Sequence, residues 1–242
     1  MRLGRRIGVI TPALNEEDAI ARVIADIPAW VDHIVVVDNG SVDDTADNAA
    51  EAGATVLTEH ERGYGAACLR GMKHLDDVDI LVFVDGDYSD DPSQMAELVD
   101  PILSGHADLV IGSRVLGNPE KGALLPQQIA GNWLACYLMR RLFNARYTDL
   151  GPFRAIRASS LSKLDMQDRN FGWTVEMQVK AVLRGLSVTE VPVSYRRRIG
   201  RSKISGTITG SMKAGYTILR VIAGSVLATV PRHGDVGFQP PK

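Results

Sequence analysis

The chain has 242 residues, 45% of them hydrophobic and 23% charged, with 27 Lys and Arg against 29 Asp and Glu for a formal net charge of −2. A chain of that size and apolar share can bury a core without disulfide or metal staples, as one large domain or two small ones. The charge balance argues against a general nucleic-acid polyanion binder, and two widely spaced cysteines, Cys68 and Cys136, argue against a disulfide framework or a Cys-based zinc site and fit a reducing compartment.

The N-terminus is basic, but its apolar run is too short for a signal peptide. No stretch reaches the ~18 apolar residues of a spanning helix; the nearest, residues 214–230, is interrupted by Arg220. The expectation is a cytoplasmic protein, with peripheral contact at the inner membrane face left open.

In chain order, residues 7–11, 33–38, 54–57, 79–85 and 108–113 are short runs rich in Val, Ile and Leu. Runs such as IVVVD and ILVFVD are apolar on both faces, as strands buried in a parallel sheet must be. Between them lie helical patterns at 16–27, 43–52, 65–75 and 92–103, the first with Ile20, Val23, Ile24 and Ile27 at helical spacing. This βαβ alternation predicts an α/β fold, an open, mostly parallel sheet with helices on both faces and a Rossmann-like nucleotide-binding half. Ligands of such sheets bind beyond the carboxyl ends of the strands. Further on, 117–126 reads as a loop, 127–144 as a helix, 148–157 as a loop leading to a strand, 173–184 as a helix and 188–195 as a strand. A basic loop follows at 196–205, then an apolar helix at 208–230 and a frayed tail. No repeat or clean linker appears, so one domain over 1–230 is expected, with halves at 1–115 and 116–206, a C-terminal helix at 207–230 and a flexible tail at 231–242.

Chemistry concentrates at the strand ends. Asp85-Gly86-Asp87 ends LVFVDGDYSDDP. Two carboxylates spaced by one small residue can face a hard cation such as Mg²⁺ or Mn²⁺, which keeps positions open for substrate phosphates; the competing reading is a pair of solvated turn aspartates. Asp38 ends the second apolar run before Asn39-Gly40-Ser41, where a carboxylate can accept from a nucleobase or ribose, or close an Asx turn. Thr11-Pro12-Ala13-Leu14-Asn15-Glu16-Glu17 follows the first run, its backbone free to line a nucleotide or its Asn15 to cap a helix.

The segments TPALNEE, VVDNGSVDDT, ERGYGAACLRGM, VFVDGDYSDDP and IGSR resemble those of family-2 glycosyltransferases with the GT-A fold. TDLGPFRAIR, GWTVEMQVKA and EVPVSYRRRIGRSKISG are similar to the branch containing dolichyl-phosphate mannose and polyprenyl-phosphate glucose synthases. The likeness covers about residues 7–206. Single motifs are weak; the ordered set is specific. It implies inverting transfer of a hexose from a nucleoside-diphosphate sugar, with UDP-glucose the first guess and GDP-mannose the second, to a polyprenyl or dolichyl phosphate. It places Pro12, Leu14 and Glu16 along the nucleotide, Asp38 at the base, and Asp85 and Asp87 on the metal and diphosphate. Arg114 would stand near the donor sugar or acceptor, Asp149 with Phe153-Arg154 at the acceptor loop, and Glu176 in the active site. Arg197, Arg201 and Lys203 would reach phosphates from a mobile loop. Asp149 and Glu176 are the candidate bases, each with a plainer reading as a turn residue or a buried ion-pair partner.

A hydroxyl acceptor needs a base within hydrogen-bond reach. A phosphate is already anionic and needs cationic positioning, and the guanidinium forks of YRRRIGRSK suit that task. The last helix carries Lys213 and Arg220 among aliphatic residues, so it either lies in a membrane interface or packs on the domain or a second subunit; a homo-oligomer stays open. The alternatives are the same transfer to a soluble hydroxyl acceptor and a non-catalytic nucleotide-sugar binder. Other motifs fail. Gly63-Tyr64-Gly65 starts like a dinucleotide fingerprint, but Cys68 stands where its third glycine belongs; neither GxxxxGK[ST] nor GxSxG is present. The five histidines show no metal-ligand spacing. Trp30, Trp133 and Trp173 read as packing anchors, with Trp173 also a candidate for the sugar pocket.

Overall fold

A computed structural model describes residues 1–200, 216, 217, 219–222 and 224. Its strands are β1 (Ile7–Ala13), β2 (His33–Asp38), β3 (Thr55–Thr58), β4 (Ile80–Phe83), β5 (Leu109–Ser113), β6 (Arg154–Arg157) and β7 (Val188–Pro192). Its helices are α1 (Ile20–Asp26), α2 (Thr45–Glu51), α3 (Tyr64–His74), α4 (Met95–Leu103), α5 (Pro126–Phe143), α6 (Ala158–Leu164) and α7 (Trp173–Leu183). The strands form one sheet in the order β3-β2-β1-β4-β6-β5-β7. All pairings are parallel except those of β6, which runs against β4 and β5. The expected mostly parallel α/β sheet is present.

The double-sided apolar character of the strands is explained by two cores. Ile10, Leu81, Phe83, Leu109 and Ile111 pack with Ala67, Cys68, Leu164, Trp173 and Met177 from α3, α6 and α7 on one face. Their alternate neighbours Ile7, Val9, Ile80, Val82 and Val110 pack on the other face with Val23 of α1 and Met95, Leu98, Val99 and Ile102 of α4. The period-2 alternation of a strand sends successive side chains into different layers.

Two local features make the site. Pairing of β1 with β4 stops at Ile10 and Phe83, whereas pairing of β1 with β2 continues to Ala13 and Asp38. Beyond Ile10, β1 therefore has a free edge toward β4, which is where Pro12, lacking an N–H, is tolerated. The gap lies between the carboxyl ends of strands whose connections leave in opposite directions, the place where open α/β sheets bind ligands.

Several boundaries move from the sequence expectation. α1 begins at Ile20 rather than residue 16 because Asn15 is left-handed at φ 51°, and Glu16 O instead accepts from Ala19 N and Ile20 N in a turn. β4 ends at Phe83, so Asp85 lies in the turn beyond it. α6 was not expected. The expected helix over 207–230 and the tail over 231–242 lie largely outside the described residues; within them Ile222 is buried with Ala135, Cys136 and Met139 of α5 and Val175 and Val179 of α7.

Candidate active site

A cleft of about 390 Å³ opens over the β1–β4 gap. Pro12, Ala13, Leu14 and Glu16 line it from the end of β1 and the turn after it, Asn39 from just beyond β2, and Asp85, Gly86 and Asp87 from the turn after β4. Arg62, Gly63, Tyr64 and Ala67 form a wall at the start of α3, Asn170 and Phe171 another before α7, and Arg198 reaches in from the basic loop. Tips of separate strands thus converge on one space, as the motif positions predict.

The DGD turn is built tightly. Asp87 Oδ1 accepts from Ser89 N at 3.0 Å and Ser89 Oγ at 2.6 Å. Tyr88, between them, sits in the left-handed region at φ 63°, a strained state for a bulky residue. Its hydroxyl donates to Asp26 at 2.7 Å, and the Arg196 guanidinium covers its ring at 4.4 Å; these contacts hold the strain. Asp85 is half-buried, its Oδ1 out of solvent and without a hydrogen-bond partner, and its carboxyl is pushed up to about 7, first by desolvation and then by the charge of Asp87. Asp90, five residues along, is raised further by burial and then by Asp85 and Asp87.

Opposite this acidic turn, Arg198 bridges two strand tips. Nη2 meets Glu16 Oε1 at 2.7 Å and Nη1 meets Asp87 Oδ2 at 3.3 Å. Ile199 N donates to Asp87 O at 3.0 Å and Arg196 N to Ser89 O at 2.7 Å, so the loop is strapped along the DGD turn by its backbone. Sequence reasoning chose Arg197 and missed Arg198. In the extended segment 196–198 the side chains alternate. Arg197 points outward, its guanidinium donating to Lys121 O and its N–H to Glu120, and it does not line the cleft. Arg201 and Lys203 lie outside the described residues.

Other expected residues fall into distinct places. Pro12, Leu14, Glu16, Asp85 and Asp87 are on the cleft wall. Asp38 is just behind it: its carboxylate accepts from Ser41 N at 3.1 Å and Gly40 N at 3.3 Å, closing an Asx turn. Its neighbour Asn39 reaches the wall and ties β2 to α3, accepting from Gly63 N at 2.8 Å and donating to Glu59 O and Glu61 O.

Asp149 and Glu176, the candidate bases, do not line the cleft. Asp149 is fully buried and holds Arg114 in a fork, Nε to Oδ2 at 2.8 Å and Nη2 to Oδ1 at 2.7 Å, with Arg114 N also on Oδ2. Arg114 lies over the Tyr195 ring at 5.0 Å, and its charge is among those that pull Asp85 back down against burial and Asp87. Glu176 accepts from Gln167 N and Asp168 N and pairs with Lys180 at 2.8 Å. It anchors from behind the loop whose Asn170 and Phe171 face the cleft. Trp173 is also fully buried, edge-on to Phe83, a core residue rather than a sugar platform. Trp133 is 65% exposed and so is not the packing anchor expected.

Among the described residues no group of three or more His, Cys, Asp or Glu side chains forms a metal cage. The donor set still fits Mg²⁺ or Mn²⁺. Such ions bind through one or two carboxylates and complete their shell with water and substrate phosphates, and the Asp85 Oδ1 beside Asp87 is a hard oxygen without a hydrogen-bond partner.

Residues 8–165 match the glycosyl transferase family 2 profile. The chain belongs to that family. This family-2 glycosyltransferase is 36% identical over 222 residues to an uncharacterised glycosyltransferase of Mycobacterium tuberculosis, covering 91% of this chain and 99% of the relative. It is 30% identical over 220 residues to a dolichyl-phosphate hexose transferase of Haloferax volcanii, covering 89% and 93%. Among solved structures it resembles glucosyl-3-phosphoglycerate synthase from Mycobacterium tuberculosis in complex with Mn²⁺, UDP and glucosyl-3-phosphoglycerate. That likeness has a TM-score of 0.72 and 26% identity and covers 91% of this chain and 81% of the synthase. The fold is therefore GT-A.

Proposed function

We propose that the enzyme transfers a hexose, with inversion, from a nucleoside-diphosphate sugar to the phosphate of a polyprenyl phosphate. UDP-glucose is the first candidate donor and GDP-mannose the second. The observation that carries the acceptor class is the engagement of both candidate bases. Asp149 is forked to Arg114 and Glu176 to Lys180 and two backbone N–H groups. A hydroxyl acceptor needs its proton removed; a phosphate oxygen arrives already anionic and needs only placement.

The residues divide the work by charge. Leu14 and Pro12 offer an apolar floor for the base, with Asp38 and Asn39 at its polar edge. Asp85 and Asp87 are the proposed ligands of Mg²⁺ or Mn²⁺, which when bound offsets charge building on the leaving diphosphate. Arg198 is placed to leave Asp87 and Glu16 for phosphate oxygens, and Arg114, kept charged by Asp149, adds fixed positive potential behind the turn. Arg201 and Lys203, which follow in the basic sequence, are the proposed further contacts for the acceptor phosphate.

A second reading keeps the donor and uses a soluble acceptor. It is favoured by the structural likeness to glucosyl-3-phosphoglycerate synthase, whose product also carries phosphate. The test offers UDP-glucose and GDP-mannose with polyprenyl phosphate, the corresponding polyprenol and 3-phosphoglycerate, with Mn²⁺ and with EDTA. Product on polyprenyl phosphate and none on the alcohol is expected. Equal turnover of the alcohol would overturn the anionic-nucleophile argument, and turnover of phosphoglycerate alone would select the soluble reading. No helix among the described residues is long and apolar enough to cross a membrane.

A further inference from the structure

We infer that the outward face of α5 is a docking surface for an anionic bilayer. A helix packed on a globular domain normally shows its polar side to water. Here Ala135, Cys136 and Met139 are buried, and the opposite row is Ile129, Trp133, Tyr137 and Arg141, four residues apart. Ile129, Trp133 and Tyr137 are 55%, 65% and 47% exposed. The Trp133 and Tyr137 rings stack in the open, centroids 5.5 Å apart and 11° from parallel. Contiguous exposed apolar surface of this kind marks an interaction site, and Trp and Tyr favour the boundary between headgroups and acyl chains.

Charge selects the partner. Between Glu120 and Asp149 the sequence holds Lys121, Arg140, Arg141 and Arg146 and no Asp or Glu, and all four are exposed. A basic strip flanking aromatic residues, on a chain of net charge −2, complements anionic headgroups. A second copy of this chain docked through the same face would bring up an equally basic segment, residues 121–148, that holds no acid to pair with those arginines.

The face is also wired to the site. Asn132, beside Trp133, turns inward and donates to Thr148 O at 2.9 Å while accepting from Leu150 N at 2.9 Å. These bonds bracket Asp149, which holds Arg114. A bilayer seated on α5 would lie one residue from the loop that supports the acceptor-side cation. The inference deepens the lipid-phosphate reading and rests on it for its purpose, not for its test.

The test is flotation of the full chain, without donor, on phosphatidylcholine vesicles with and without phosphatidylglycerol. Binding is expected only with phosphatidylglycerol, falling with added salt. It should weaken about tenfold in Trp133→Ala/Tyr137→Ala and similarly in Arg140→Glu/Arg141→Glu. All four side chains are exposed, so UDP binding by calorimetry in Mn²⁺ should be unchanged. Equal flotation of these variants, flotation on neither vesicle, or a dimer by light scattering that the aromatic substitutions dissociate overturns the inference. Transfer to polyprenyl phosphate in detergent by a chain that ignores vesicles removes the docking face alone. Vesicle binding without such transfer removes the proposed reaction alone.

Discussion

Replacing Gly65 by alanine tests the packing that shapes one wall of the cleft. A Cβ at Gly65 would lie 2.0 Å from Asp168 O and 2.8 Å from Asp168 C, both backbone. Gly63 is similarly pressed, at 2.0 Å from Arg169 O. Carbon and oxygen do not approach closer than about 3 Å in well-packed structures, so the segment 168–170 must retreat by roughly 1 Å. That retreat stretches two bonds from the start of α3, Gly65 N to Asn170 O at 3.2 Å and Ala66 N to Arg169 O at 2.9 Å. Overpacking costs about 1–3 kcal/mol and each strained hydrogen bond about 0.5–1.5. Helix propensity returns at most about 1 kcal/mol. The expected net loss is about 1–5 kcal/mol. Because Asn170 and Phe171 line the cleft, donor affinity should fall with it. Urea unfolding and calorimetry with UDP in Mn²⁺ read both effects. Gly131→Ala, in exposed α5 with nothing within 4 Å of the added carbon, is the control and should stabilise by up to about 1 kcal/mol. If Gly65→Ala unfolds within 0.5 kcal/mol of wild type, in the sense of an ordinary surface change, and binds UDP as before, the close-approach argument is wrong.

Three further outcomes are expected. Asp87→Ala should weaken UDP binding in Mn²⁺ at least about tenfold, and the remaining affinity should no longer respond to EDTA; a full EDTA response in the variant would place the cation elsewhere. Asp149→Asn should cost about 3 kcal/mol in urea unfolding, because it leaves the Arg114 guanidinium buried beside a neutral partner, and a shift below about 0.5 would mean that water compensates the charge. The Asp79 carboxyl is held below its usual range, first by the Arg6 N–H and also by Arg5. The folded state thus binds that proton less readily than the unfolded chain, so this contribution is present at neutral pH and is lost as pH falls through about 4 and below. Asp79→Asn should flatten the acid limb of the urea-midpoint profile, and an unchanged limb would remove Asp79 from acid unfolding.

The sheet was legible because its strands carry apolar residues on both faces, a pattern that only a two-sided core explains. Strand tips were legible for the same reason: wherever VVVD or VFVD stopped, the polar residue had to stand at the carboxyl edge. Arg198 was not legible. Arg196, Arg197 and Arg198 are one residue type in a row, and only the extended backbone, by sending alternate side chains to opposite sides, decides which one enters the cleft. The GxG at 63–65, set aside in the sequence as a dinucleotide fingerprint, has its reason in the packing. Its glycines are demanded by a close approach of backbone to backbone at Arg169 and Asp168, the same physical need that a dinucleotide fingerprint serves with a pyrophosphate. Asp149 and Glu176 were visible as acids, but whether an acid faces a cleft or a buried cation is settled by the fold, which brings Arg114 onto Asp149 from 35 residues away.

Arg198 only partly offsets the acids that face the cleft, which is the physical argument for a cation in the proposed reaction. Glu16, Asp85 and Asp87 all face the space that a donor diphosphate would enter, and Arg198 bridges the first and last of them. A diphosphate entering alone would meet acids at contact range and would have to take Arg198 from both partners, leaving two carboxylates exposed to each other and to the phosphate. Were Asp85 and Asp87 to hold a divalent ion, its charge would offset theirs, and Arg198, no longer needed on Asp87, would be available for phosphate oxygens. Arg198→Gln should therefore bind Mn²⁺ more tightly without nucleotide, since the competing cation is gone, yet bind UDP with Mn²⁺ more weakly, since the released fork is gone as well. Metal affinity that stays the same in Arg198→Gln, measured by manganese electron paramagnetic resonance, would show that the guanidinium and the ion do not compete for Asp87, and the exchange argued here would fail.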